Sequence, residues 1–304
     1  MKNTLGAALG TALAAFALSA GSVAHAQAGF TVTGTIRDFA AAGTTVEFEG
    51  QTYTGNPDFQ SIDFPSFTVE QGFVGTTIGG DLSDKPVYAG LNTEDYGDDS
   101  VSTAANFNQW FRDTPNVNVS SSIDFVTTQV SPGVFSFSNQ TYFPIDGQSL
   151  GNQTFSRNYH FTTEIRTAFR YLADADATTA GVQAQTFRYV GDDDVFVYIN
   201  GQLVIDLGGV RPQEGATVNL LTGAVDYDNA SLTDQVLTLG LVDNQDYTLD
   251  IFTTERRTDD STISFATNIP LTTRLPAVVP EAGTMSLFGM GLLGAAGMVL
   301  RRRK

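Results

Sequence analysis

Apolar and polar residues alternate in short stretches along most of the chain, and clusters of turn-forming residues separate one stretch from the next. Alternation with a period of two puts one side of an extended segment into a core and the other toward water, so the pattern predicts strands rather than helices. Strands are expected at Phe30 to Ile36, Val134 to Phe137, Tyr159 to Arg166, Gln185 to Val190, Ala216 to Leu221, Tyr247 to Phe252 and Thr262 to Ile269. One short helix is expected around Trp110, from Ala104 to Phe111. Asp81 to Ser102, rich in Gly, Asp and Ser, reads as a long surface loop, and Asp174 to Thr179 and Asp226 to Ser231 read as polar connections. Recurrent short strands with turn signals between them predict an all-β fold, a β-sandwich.

The sharpest local signal is Gly191 to Gly209. Asn200-Gly201 between two runs of β-branched and aromatic residues predicts a two-residue type I′ hairpin turn. Counting outward from that turn pairs Ile199 with Gln202, Val197 with Val204, and Val195 with Asp206. Both faces of the hairpin are apolar, so it is expected to be buried and central. Its open end carries Asp192, Asp193 and Asp194, beside Asp206 and Gly208-Gly209. Three consecutive carboxylates repel one another unless a cation or a set of donors sits among them.

Composition narrows the chemistry. The chain has 304 residues and no Cys, which excludes disulfides, thiolate metal sites and cysteine nucleophiles. Of its two histidines, His25 lies in a segment expected to be removed, and His160, on an expected strand, reads as a structural histidine. Trp110, flanked by Phe107 and Phe111, reads as a core anchor. The net charge is −17, and four of the basic residues stand together at Arg301 to Lys304, so the body of the chain is more acidic still. Such a surface repels nucleic acid and anionic lipid, and suits cations and neutral glycans.

The two ends read as addresses. Lys2, an apolar stretch from Leu5 to Leu18 and the small-residue site Ala24-His25-Ala26 form the pattern of a secretory signal peptide, residues 1–26, implying export by the Sec machinery. At the other end, Val279-Pro280-Glu281-Ala282-Gly283-Thr284 precedes an apolar run from Met285 to Leu300 and the cluster Arg301 to Lys304. As a helix that run is about 24 Å long, a little short of a hydrocarbon core of about 30 Å, and the arginines can snorkel to extend it. This order, over residues 279–304, resembles the PEP-CTERM sorting signal of Gram-negative bacteria, with Pro280, Glu281, Gly283 and Thr284 carrying the match and Ala282 replacing the usual second proline. The resemblance implies transient anchoring in the inner membrane by a C-terminal transmembrane helix. An exosortase then delivers the protein to the cell surface or extracellular matrix, in species that make exopolysaccharide. A plain C-terminal tail anchor is the alternative.

The middle of the chain resembles the fibro-slime domain, a branch of the protective-antigen type of lectin-like β-sandwich. The match spans Phe30 to Ile269, with residues 270–278 left as a linker. It rests on ordered blocks that include Gly34 to Phe39, Asn56 to Phe59, Lys85 to Tyr88, Phe107 to Phe111, Phe143 to Gly147, Asn158 to Glu164, the hairpin, and Tyr247 to Phe252. Members resemble secreted adhesive and carbohydrate-associated proteins. In sugar-binding relatives an Asp-Asp pair before the hairpin holds a calcium ion that touches ligand hydroxyls. That implication falls on Asp192 and Asp193. Asp194 stands where relatives have Gly, so it adds a ligand or caps a neighbouring backbone N–H. Relatives often carry His where this chain has Arg157, Arg211 and Arg257, and arginine cannot ligate a cation. One of these guanidiniums could fork onto Asp192 to Asp194 and hold them without metal, but at least two of the three are expected on the surface, paired with the excess acid.

Three functions follow. The favoured one is a non-catalytic, exported surface or matrix protein that binds a polysaccharide or glycan through calcium. The second is a structural envelope or biofilm protein with no defined ligand. The third, a glycoside hydrolase using a carboxylate pair, is least favoured, and no catalytic residue is assigned.

Overall fold

The computed structural model describes residues 29–60, 68–72, 74–79, 84–90, 101–173, 184–258 and 260–273. The expected signal peptide, the expected connection at 174–179, the expected sorting segment with its apolar run and basic tail, and most of the expected 81–102 loop lie outside them. Among the described residues no helix is long and apolar enough to cross a membrane.

The fold is all-β, with two antiparallel sheets face to face. Of the strands of the first sheet, β1 spans Thr31–Phe39, β4 Asn118–Val126, β7 Phe161–Arg170, β9 Val195–Ile199, β10 Gln202–Leu207 and β14 Asp246–Glu255. They run in the order β10-β9-β14-β7-β1-β4. The second sheet is built from β5 (Thr128–Ser131), β6 (Val134–Asn139), β8 (Thr186–Gly191), β11 (Glu214–Asn219), β12 (Ala224–Tyr227), β13 (Gln235–Val236) and β15 (Ile263–Thr267). Its order is β13-β12-β11-β8-β15-β6-β5. A separate small hairpin joins β2 (Thr45–Phe48) to β3 (Gln51–Thr54). The stretch expected to be linker begins with a strand instead: β16, Leu271–Thr273, pairs with β7 beyond the point where β1 stops.

The core between the sheets takes one face of the central strands, with Ile36 and Ile165 meeting Phe187, Tyr189 and Phe265. The first sheet is covered on its other face as well. There Phe39, Phe196 and Phe252 pack under Phe59, Phe107, Trp110 and Phe111, contributed by the turn at 57–60 and by α1 (Ala104–Phe107) with the turns after it. Thr103 caps α1 by accepting from Asn106 N–H, and the helix ends well short of the expected Phe111. Trp110 is wholly buried and donates its indole N–H to Asp58 Oδ2 at 2.9 Å, which satisfies the one polar atom that such a ring brings into a core.

The Asn200-Gly201 turn forms as expected, with φ of 52° and 73° at the two positions. The register departs from the expected one beyond it. A bulge between Leu203 and Ile205 pairs Val197 with Ile205 and Val195 with Leu207, leaving Val204 as the extra residue. The bulge puts Ile205 and Leu207 in the inter-sheet core with Val195 and Val197, where unbroken alternation would have sent them to the opposite face. The hairpin is buried but not central. β10 ends the sheet, and residues 70 and 77 bridge its outer edge through Glu70↔Gly208 and Thr77↔Gln202.

At Gly201 a Cβ would run into the carbonyl oxygen of Ile78, whose own N–H donates to Gly201 O at 2.8 Å. Gly201→Val therefore combines a disfavoured positive φ with a backbone clash, and should lower stability by roughly 1–3 kcal/mol or more. An unchanged midpoint in thermal melting would contradict this placement of the turn.

His160 is fully buried, its two ring nitrogens 3.3 Å from Gln153 Nε2 and Gln60 Oε1. Burial lowers its pKa to about 4, so it is neutral at physiological pH, as befits a structural histidine.

Candidate functional site

Four connections between the two sheets meet at one end of the sandwich. They are β6 to β7, β8 to β9, β10 to β11, and β14 to β15. Together they line a cleft of about 590 Å³, to which they contribute Gln140, then Asp192 and Asp193, then Val210 to Gln213, then Arg257, Thr258, Asp260 and Thr262. The acidic run is itself the β8 to β9 crossover, and its backbone is tied down by Asp193 N–H to Thr254 O at 2.9 Å and Thr254 N–H to Asp194 O at 3.0 Å. The Asp192–Asp193 peptide is cis.

The three carboxylates have different surroundings. Asp194 is fully buried and turned away from the cleft. Arg256 donates to both its oxygens, Nε to Oδ2 at 2.6 Å and Nη2 to Oδ1 at 3.1 Å. Thr254 Oγ1 and Gly209 N–H also donate to it, at 2.5 and 2.6 Å. The guanidinium of Arg256 lies 4.5 Å from the centre of the Trp110 ring, which joins the acidic crossover to the aromatic cluster on the outer face.

Asp192 and Asp193 line the cleft and accept backbone N–H groups only. Thr262 donates to Asp192 Oδ1 at 2.6 Å, and Arg211 and Arg256 N–H donate to the two oxygens of Asp193 at 3.3 and 2.9 Å. Burial raises the Asp192 pKa to about 7, against relief from Thr262 N–H and the Arg211 charge. Burial, and next the charge on Asp194, raises Asp193 as well. Asp206 shares the condition: burial pushes it to about 7, and its Oδ1 has no hydrogen-bond partner.

The expected arginines fall out differently. Arg157 is half exposed and pairs with Asp146 at 2.7 Å, and Arg257 sits partly exposed on the cleft wall. Arg211 is buried, but its guanidinium donates to backbone carbonyls of Leu207, Gly191 and Pro212 rather than to a carboxylate. The fork onto the acidic run comes from Arg256, which the sequence reading passed over. Strand alternation could have found it, since Thr254 and Arg256 share one face at the end of β14 and Glu255 takes the other. Glu255 was missed too. It is 1% exposed, and neither of its oxygens closes a hydrogen bond.

Among the described residues no group of three or more His, Asp or Glu side chains converges as a metal cage. Asp192 and Asp193 nevertheless fit a hard divalent cation in their chemistry. They are oxygen donors, under-compensated, at the wall of an open cleft, and calcium completes its shell with backbone carbonyls, water or ligand hydroxyls.

Among known families, residues 89–275 match the PA14 domain and residues 278–304 match the PEP-CTERM protein-sorting motif. Similar proteins from Dictyostelium discoideum include protein psiQ, 32% identical over 73% of this chain and 20% of its own length, and protein psiC, 30% identical over 73% of this chain and 40% of its own. The chain thus spans between a fifth and two fifths of the length of these relatives.

Proposed function

Because the chain belongs to the PA14 domain family and closes with a PEP-CTERM sorting motif, we propose that it is an exported, non-catalytic surface or matrix protein whose sandwich binds carbohydrate through calcium. Asp192 and Asp193 hold the cation in this reading. The observation that carries it is their contrast with Asp194: one carboxylate of the run is neutralised by a buried arginine, while the two that face the cleft have only backbone donors. Two buried carboxylates that no side chain salt-bridges are costly, and a divalent ion removes that cost. Its volume also suits the role, since small-ligand pockets run to about 300–1,000 Å³. Sugar hydroxyls can replace water on calcium as neutral oxygen ligands, so a glycan could enter without rearrangement of the protein.

Retention on immobilised polysaccharides, with and without chelator, tests the reading. Chelator-sensitive retention on at least one polysaccharide is the expected result. Retention that ignores the chelator contradicts the calcium role, and a protein that passes every column unretarded favours a structural envelope component.

For sorting, an exosortase is the partner, and the basic tail holds the C-terminus in the cytoplasm during passage through the inner membrane. Deleting Arg301 to Lys304 should leave the precursor misoriented or poorly retained. Pulse-chase fractionation checks this, and equal maturation of the truncated and full-length proteins to the same compartment would contradict it.

A further inference from the structure

Glu255 is the last residue of β14, opposite Phe161 of β7. Its neighbours on either side hold the acidic crossover: Thr254 O accepts Asp193 N–H, and Arg256 N–H donates to Asp193 Oδ2. Glu255 is therefore bracketed by two of the three backbone contacts that fix Asp193. Alternation along the strand sends Thr254 and Arg256 toward Asp194, so the Glu255 carboxyl points to the other face, between the sheets.

Among the described residues no salt bridge reaches it. Both its oxygens are buried without a hydrogen-bond partner, Ser261 and the backbone of Arg257 easing the charge without closing a bond. The charges that act on it most strongly, after the cost of burial, are Asp193 and then Asp192. Arg256 is committed to Asp194, and Arg211 to three carbonyls. Both buried guanidiniums at the crossover are thus committed to other acceptors. A carboxyl buried this deeply without a partner destabilises the fold.

We propose that Glu255 is a positioning and charge-setting residue for a divalent cation, raising the affinity of Asp192 and Asp193 for it from beneath the cleft floor. This rests on the calcium reading of that pair. It assigns Glu255 a cost in the metal-free protein and a benefit in the loaded one, and a merely structural residue would not show that combination.

The test is calcium titration calorimetry and thermal melting on the full chain, comparing wild type with Glu255→Gln and Glu255→Met. Both variants should bind calcium at least about tenfold more weakly, the effect of roughly one carboxylate's charge at a partly buried site. In chelator both should melt at or above the wild-type temperature. If wild type binds calcium and the variants bind it equally well, the proposal is overturned while the calcium reading stands. If both variants melt lower than wild type in chelator, the carboxyl serves the fold and the proposal is again overturned. If wild type takes up no calcium, both readings fall together.

Discussion

Replacing Arg256 with Met is expected to destabilise the domain by roughly 3–5 kcal/mol, the usual cost of removing one partner from a buried ion pair. Arg256 and Asp194 have no solvent-exposed side-chain surface, and the guanidinium provides two of the hydrogen bonds to the carboxylate. Without it Asp194 keeps Thr254 Oγ1 and Gly209 N–H but becomes an uncompensated buried charge. The loss also strips Trp110 of the cation stacked on its face, so the turns after α1 should loosen with the crossover. Such a loss takes a large share of a typical ~5–15 kcal/mol stability. Urea unfolding would measure it. The double variant Arg256→Met, Asp194→Leu should recover much of the loss, because neither charge is then left alone. Equal stability of Arg256→Met and wild type would mean that the fork does not hold the crossover.

The second large effect is expected from Asp192→Asn, Asp193→Asn, and its sign depends on calcium. Both carboxyls have a folded-state pKa raised above the ordinary value near 3.8, Asp192 to about 7. A raised acid favours the folded state while protonated, so its contribution is complete below pH ~4 and is lost as the pH climbs through ~7. In chelator the wild type should therefore melt lower at pH 8 than at pH 5, and the double variant, with no charge to bury there, should flatten that slope. At pH 8 the metal-free variant should be the more stable by an amount on the order of a few kcal/mol, since each pKa unit is worth about 1.4 kcal/mol. Calcium should reverse the ranking, raising the wild type alone. Melting curves at both pH values, each with calcium and with chelator, give the comparison. A variant that melts lower than wild type in chelator at pH 8 would show that the two charges serve the fold.

Local signals in the sequence were enough for the turn and the strand type. Asn200-Gly201 admits one tight geometry, and alternation at Phe161–Arg170 or Asp246–Glu255 admits one kind of element. The edge strand β4 was not legible. Asn118–Val126 carries Ser120, Ser121 and Ser122 at its middle because one side of β4 has no neighbouring strand among the described residues and its face is largely exposed, so burial writes no pattern into it. The Val204 bulge was hidden for a different reason: Leu203, Val204 and Ile205 are all apolar, and an apolar run reads the same with or without an extra residue.

At the site, the position of the acidic run at the open end of the hairpin could be read, and its division of labour could not. Asp192, Asp193 and Asp194 look equivalent in sequence. What separates them is the end of β14 and the residue after it: Thr254, Glu255 and Arg256 come some sixty residues later and reach the crossover only when the sheets close. The histidine replacements point to Arg157, Arg211 and Arg257, while the paired arginine is the neighbour of the last of these.

Calorimetric titration of calcium into the wild-type protein at pH 8, beside Asp192→Asn, Asp193→Asn, decides whether the two cleft-facing carboxylates bind a cation. Saturable uptake of one calcium per chain at millimolar concentration or below, and no uptake by the double variant, is the expected result. Absence of uptake by the wild type at millimolar calcium, or equal uptake by the two proteins, would contradict it.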